Sequence, residues 1–130
     1  MCRISAHDFL VDGNPVSIDV SEELLDLKKL YPGEVCKGED GKRVATVVVK
    51  VLAPSSGRFP VLWHNDYFGE ISINGGEPKT VRGPWLGFER TTVDLEKGEN
   101  TIEIKTRAGS GGKWTVGFQV PAASGLTFAP

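Results

Sequence analysis

The sequence predicts an all-β domain: an antiparallel β-sandwich or barrel with at most one short helix. Three observations carry this. Apolar residues recur mostly at period two, the spacing that puts them on one face of a strand. The 16 Gly and 8 Pro fall between these runs at fairly regular intervals, as the turns of successive hairpins do. No alternation of strand with helix occurs, which argues against a parallel nucleotide-binding sheet. A length of 130 residues suits one domain with a core of its own.

The elements follow in order. Val16-Ser-Ile18-Asp-Val20 alternates cleanly and reads as a strand. Ser21–Leu30 reads as the single helix, with Ser21 as N-cap, acids in its first turn and lysines in its last. Leu24, Leu27 and Leu30 form its apolar stripe. A loop with one helical turn is the alternative, because Tyr31-Pro32-Gly33 stops the segment early. Arg43–Ala53 is dense in β-branched residues and predicts a long, mostly buried strand. After the turn Pro54–Gly57, Phe59–Trp63 forms a strand in which Pro60 marks an edge or a start. Tyr67, Gly69, Ile71 and Ile73 share one face of the next strand, and Glu70, Ser72 and Asn74 the other. Asn74-Gly75-Gly76 is a hairpin signal, since Asn and Gly reach positive φ at little cost. Lys79–Arg82 is the short return. Arg90–Leu95 and Asn100–Thr106 are strands with Val93, Leu95, Ile102 and Ile104 inward, joined by Lys97-Gly98-Glu99. Trp114, Val116, Phe118 and Val120 alternate on the last strand, and residues 121–130 read as a C-terminal tail.

Composition excludes several classes. Lys and Arg number 15 against 17 Asp and Glu, a net charge of −2 spread evenly along the chain, which disfavours a nucleic-acid partner. No apolar run reaches the roughly 20 residues of a membrane span. Met1–Val11 lacks the apolar core and cleavage site of a secretory signal. Cys2 and Cys36 admit one disulfide, but their positions at a terminus and in a loop favour two unpaired thiols.

Catalytic constellations are scarce. The two histidines, His7 and His64, have no second ligand at metal spacing, and a lone loop histidine is more often structural. Ser55, Ser56 and Ser110 lack a nucleophile-elbow context. No glycine-rich loop leads into a phosphate-cradling helix. A small lyase or hydrolase would need a pocket holding His64 or His7 beside carboxylates.

The aromatic residues are more informative. Trp63 and Trp114 stand in register with core positions. Trp85 does not: it lies in the loop Arg82-Gly-Pro-Trp-Leu-Gly-Phe88, flanked by Arg82 and Arg90. A loop aromatic can stack on the apolar face of a sugar while Arg, Asn or Asp groups take its hydroxyls. The competing reading folds Trp85 back as a lid over one end of the core.

Two hairpin sequences then point to a family. Trp63-His-Asn-Asp-Tyr-Phe-Gly-Glu-Ile-Ser-Ile-Asn-Gly-Gly76 resembles one signature of the galactose-binding-like β-sandwiches. These are the jelly-roll accessory and carbohydrate-binding modules of glycoside hydrolases and polysaccharide lyases. Val93-Asp-Leu-Glu-Lys-Gly-Glu-Asn-Thr-Ile-Glu-Ile-Lys105 is similar to their second hairpin, and Gly111–Val120 to their closing strand. The resemblance covers roughly residues 43–120. Residues 1–42 do not match it and form a less certain N-terminal part of a single domain spanning 1–130. Asn100 is placed to hydrogen-bond loop backbone and pin its turn.

The resemblance implies a jelly roll and a non-catalytic, extracellular or cell-surface module that binds poly- or oligosaccharide beside a neighbouring enzyme domain. Trp85 is the candidate stacking platform, with Arg82, Arg90, Asn65 and Asp66 as polar contacts. It also implies that a structural calcium ion can brace the fold. No ligand set for it is assignable, since calcium takes six to eight oxygens, several from carbonyls. The alternative is a structural domain that packs on its neighbour through Leu24, Leu27 and Leu30 or through Leu126–Phe128, without binding glycan.

Overall fold

A computed structural model describes residues 2–5, 25–38, 41–66, 68–82, 89–108 and 114–129. Among the described residues ten strands run in chain order. They are β1 (Arg3–Ser5), β2 (Leu25–Asp26), β3 (Val44–Ala53), β4 (Gly57–Asn65), β5 (Phe68–Ile73), β6 (Lys79–Arg82), β7 (Glu89–Leu95), β8 (Gly98–Arg107), β9 (Thr115–Gln119) and β10 (Thr127–Phe128). One sheet has the order β1-β3-β8-β5-β6, with β10 also paired to β3; the other has the order β2-β9-β4-β7. The result is a two-sheet, jelly-roll-type sandwich, as the sequence predicts.

The core lies between the sheets and follows the period-two pattern. Ala45, Val47, Val49, Val51, Ile71, Ile102 and Ile104 from one sheet meet Val61, Trp63, Val93, Leu95, Val116 and Phe118 from the other, all buried. Burying branched and aromatic side chains of this size contributes about 1.5–3 kcal/mol each. Trp114 is fully buried at the mouth of β9. Its ring carries the Arg43 guanidinium 4.6 Å from its centre, and Arg43 also donates to the carbonyls of Tyr31 and Val35. Pro60 faces β7, whereas β9 pairs only with Leu62–Asn65, so the proline sits where β4 has one described neighbour.

Three expectations are corrected. The helix is shorter than Ser21–Leu30. Residues 21–24 lie outside the described part, Leu25–Asp26 is strand, and α1 covers only Leu27–Leu30, capped by the Asp26 side chain accepting from the Lys28 amide. Pairing of Leu25 and Asp26 with Val116 and Thr115 overrides their helical pattern. Leu27 is core while Leu30 is exposed, so these two do not share one apolar face; Leu24 lies outside the described residues. The tail is also structural. Thr127 and Phe128 pair with Leu52 and Val51, Leu126 and Ala129 are buried, and the Phe128 ring packs edge-on against Phe118.

Cys2 and Cys36 are bonded, not free. β1 pairs in parallel with Thr46–Val48 and brings Cys2 onto the 31–38 segment, with the two Cα atoms 5.5 Å apart. The alternation on β9 is accompanied by burial of both faces, since Gly117 and Gln119 are buried as well as Val116 and Phe118. The expected strand Val16–Val20 lies outside the described residues.

Candidate functional site

Strand direction sorts the loops between the two ends of the sandwich. One end carries tight turns. There Asn74 (φ 50°) and Gly75 (φ 74°) turn after β5, and Glu96–Lys97 turns between β7 and β8. Asn100, fully buried, pins both. Its Oδ1 accepts from the Glu96 amide and from Asn74 Nδ2, each at 2.9 Å, and its Nδ2 donates to the carbonyls of Glu96 and Gly98. Asn74 Oδ1 in turn accepts from the Thr101 amide at 2.8 Å. The turn-pinning role expected of Asn100 is therefore observed, and it extends to the neighbouring hairpin. These residues hold the two turns.

At that other end β4, β6 and β8 stop, and β5, β7 and β9 begin. Arg82 closes β6 opposite Phe68, and Glu89 opens β7 opposite Trp63. The segment between them contains Trp85 and lies outside the described residues, as does Tyr67. The Arg82 position is thus set by the backbone register, at the edge of one sheet, while β7 forms the edge of the other.

Asn65 and Asp66 end β4. Asn65 pairs with Val116 and points into the core, fully buried. Neither its Oδ1 nor its Nδ2 has a hydrogen-bond partner, and the nearby Thr106 Oγ1, also buried, has none. A buried amide without partners is costly, on the order of 1–3 kcal/mol per group, and among the described residues Asn65 alone has both of its side-chain polar atoms in that state. Gly69 makes room for it: a Cβ there would press on Asn65 Nδ2 and come 2.8 Å from the Lys105 carbonyl oxygen.

Asp66 is engaged by β9. Its Oδ2 accepts from the Thr115 amide at 2.5 Å and from the Thr115 hydroxyl at 2.8 Å, while Oδ1 lies 3.3 Å from His64 Nε2. His64 Nε2 is also 3.3 Å from Thr115 Oγ1. An ionised carboxylate only accepts and the Thr115 proton is already given to Asp66, so the network assigns the proton to Nε2 of His64. Burial pushes the Asp66 pKa up. The hydrogen bonds from His64 and from the Thr115 amide and hydroxyl outweigh that and hold the carboxyl below the usual aspartate range. The side chains of His64 and Asp66 are only 5% and 10% exposed. This is a clamp between β4 and β9. Thr115 escaped the sequence reading because the partners are 49 residues apart and only the sheet register joins them.

The other polar candidate stands apart. Arg90 is exposed and pairs with Leu62, which places it on the outer face of its sheet, whereas Asn65 is on the inner face. The structure therefore joins Asn65 and Asp66 at one strand end and does not gather Arg90 with them. His64 is enclosed beside Asp66 and Thr115, not open to a substrate; His7 lies outside the described residues. Among the described residues no group of three or more His, Cys, Asp or Glu is placed to hold a metal ion. Asp66, the enclosed carboxylate here, turns Oδ2 toward N–H and O–H hydrogens, so the described residues do not fit a calcium ion at this point.

No protein-family model matches the chain, and no curated protein does. Solved structures do. A family 35 carbohydrate binding module from an environmental isolate aligns with a TM-score of 0.50 at 14% identity, over 89% of this chain and 87% of that one. CBM35 from Cellvibrio japonicus Abf62 aligns at 0.47 and 22%, over 66% and 70%. Xyl-CBM35, solved with a glucuronic acid containing disaccharide, aligns at 0.41 and 20%, over 91% and 84%. The fold is a two-sheet β-sandwich of the kind seen in the module from the environmental isolate.

Proposed function

We propose that the chain is a non-catalytic carbohydrate-binding module of a larger, secreted polysaccharide-active enzyme, and that it binds glycan at the end where β4, β6 and β8 stop. What supports the reading is that β4, with Asn65 and Asp66, and β6, with Arg82, both stop at this end, on a fold shared with a family 35 module, and that Trp85 follows Arg82 by three residues in the sequence. Trp85 supplies the stacking face and Arg82 a polar contact; Asn65, fully buried, acts only from beneath the loop end. Arg90 extends the surface along the outer face of β7. Asp66 acts by fixing the β4–β5 connection against Thr115. The Cys2–Cys36 bond supports an oxidising, extracellular setting. No helix among the described residues is long and apolar enough to cross a membrane.

The test is a polysaccharide array covering plant, algal and animal glycans. The wild type is expected to be retained on at least one neutral or mildly acidic polysaccharide. Retention on none removes the reading.

A structural accessory domain is the second reading, favoured by Leu30 and Val35, which are 44% and 48% exposed on the 27–38 segment. It predicts no retention on the array and protection of this segment from hydrogen exchange when the neighbouring domain is present.

A further inference from the structure

The tight-turn end carries a chemistry of its own, between a side-chain carboxamide and the backbone nitrogen that follows it. Among the described residues Asn74 is the asparagine that a glycine follows; Asn65 and Asn100 precede Asp66 and Thr101. Asn74 and Gly75 are both exposed. They are the central residues of a type I′ turn, with φ of 50° and 74° and the Gly76 amide donating to the Ile73 carbonyl at 2.9 Å. A side chain on the next residue crowds the approach of its nitrogen to an asparagine Cγ. Gly75 has none, and the space beside its Cα is open, since a Cβ there would meet nothing within 4 Å.

The carboxamide is held at both ends by β8. Its Oδ1 accepts from the Thr101 amide at 2.8 Å, and its Nδ2 donates to Asn100 Oδ1 at 2.9 Å. Asn100 is a rigid anchor, fully buried and bonded to the amide and carbonyl of Glu96. Attack by the Gly75 nitrogen on Asn74 Cγ closes a five-membered ring. It needs the carboxamide to turn off β8 and present its carbon to that nitrogen. Both bonds break in that turn, so reaction proceeds from a locally opened hairpin.

We infer that Asn74 is a site of spontaneous deamidation and that its hydrogen bond to Asn100 sets the rate. Hydroxide takes the Gly75 amide proton. The nitrogen attacks Cγ, the N–Cγ bond forms and the Cγ–Nδ2 bond breaks. Nδ2 leaves as ammonia with a proton from water, which regenerates hydroxide. A second water opens the cyclic imide at either carbonyl and leaves aspartate or isoaspartate. Aspartate puts an acceptor where Nδ2 donated, facing Asn100 Oδ1. Isoaspartate routes the backbone through the side chain and adds an atom to a turn that fits two residues. Either product unties the β5–β6 turn from the β7–β8 turn. The site is at the opposite end from Trp85 and does not rest on glycan binding.

The experiment incubates the full chain in mildly alkaline buffer, folded or unfolded in urea. Loss of Asn74 and gain of its aspartyl and isoaspartyl products are followed by peptide mass mapping. The folded chain is expected to react at least about tenfold more slowly than the unfolded one, the factor that the two bonds supply. Asn100→Ala is expected to bring the folded rate most of the way to the unfolded one. That variant also weakens the fold as a whole, so Gly69→Ala serves as its counterpart: it destabilises the loop end, leaves the Asn74–Asn100 bond in place and is expected to keep the wild-type rate. Gly75→Ala, read in urea where folding is not in question, is expected to slow the reaction about tenfold by crowding the nitrogen. The inference is overturned by an Asn74 that survives in urea, by equal folded and unfolded rates, by a wild-type rate in Asn100→Ala, by Gly69→Ala matching Asn100→Ala, or by no slowing in Gly75→Ala.

Discussion

Thr115 directs both its amide and its hydroxyl hydrogen at a single oxygen of Asp66, 2.5 and 2.8 Å away, and so fastens the start of β9 to the end of β4. The pair spans two loops of the candidate binding end and sets where the β4–β5 connection begins.

Asp66 should therefore make stability depend on pH in one direction. Its native pKa lies below the ordinary value of 3.8, so its contribution is fully present above that value and is lost as pH falls through the native one. Asp66→Asn is expected to lower stability by about 1–3 kcal/mol at neutral pH, since it loses charge-assisted bonds to His64 and Thr115. Urea unfolding of both proteins against pH checks this. The gap between them should narrow only below about pH 4, and a gap constant down to about pH 2 would contradict the assignment.

Asn100 should be among the least replaceable polar residues. Asn100→Ala strips partners from the Glu96 amide and carbonyl and from Asn74 Nδ2 inside a buried turn. A loss of about 2–3 kcal/mol is expected in denaturant unfolding. Thr101→Ala, on the exposed side of the same hairpin, should stay within about 0.5 kcal/mol.

Gly69 tests the packing beneath the loop end. Gly69→Ala puts a methyl 2.8 Å from the Lys105 carbonyl oxygen and against the Asn65 amide. Overpacking of this kind destabilises by about 1–3 kcal/mol. Asn65→Ala in the same background makes room and removes an unpartnered amide, so thermal melts should show the double variant recovering part of the loss.

The Cys2–Cys36 bond closes a loop over a separation of 34 residues, for which chain entropy gives about 3–4 kcal/mol. Reductant, or Cys2→Ser with Cys36→Ser, should lower the melting point. Thiol titration of the unreduced, denatured protein should find none free.

How far the sequence could be read depended on the range of the interaction. The alternation of Val47, Val49 and Val51 or of Ile102 and Ile104 is written in neighbouring residues, so core strands and their inner faces were legible. Asn100 was legible for the same reason, because its backbone partners lie within four residues. Its bond to Asn74, 26 residues away, was not. The disulfide depends on a parallel pairing of β1 with β3 that no local pattern announces. Leu25 and Asp26 carry a helical pattern locally and become strand through contact with β9. The tail became structure because β3 offers Val51 and Leu52 an open edge beyond β1. At the candidate site Asn65 and Asp66 could be named from their loop, but their opposite fates, one unpartnered in the core and one clamped by Thr115, follow from register alone.

Binding through Trp85 is the central claim, and tryptophan fluorescence reads it most directly. The chain has three tryptophans, and Trp63 and Trp114 are buried to 2% and 0% exposure, so on this account a change in emission on binding reports Trp85. The account predicts a saturable change in emission on titration with a polysaccharide retained on the array, with both the change and the retention lost in Trp85→Ala. Retention without an emission change, and with equal affinity in Trp85→Ala, would contradict it.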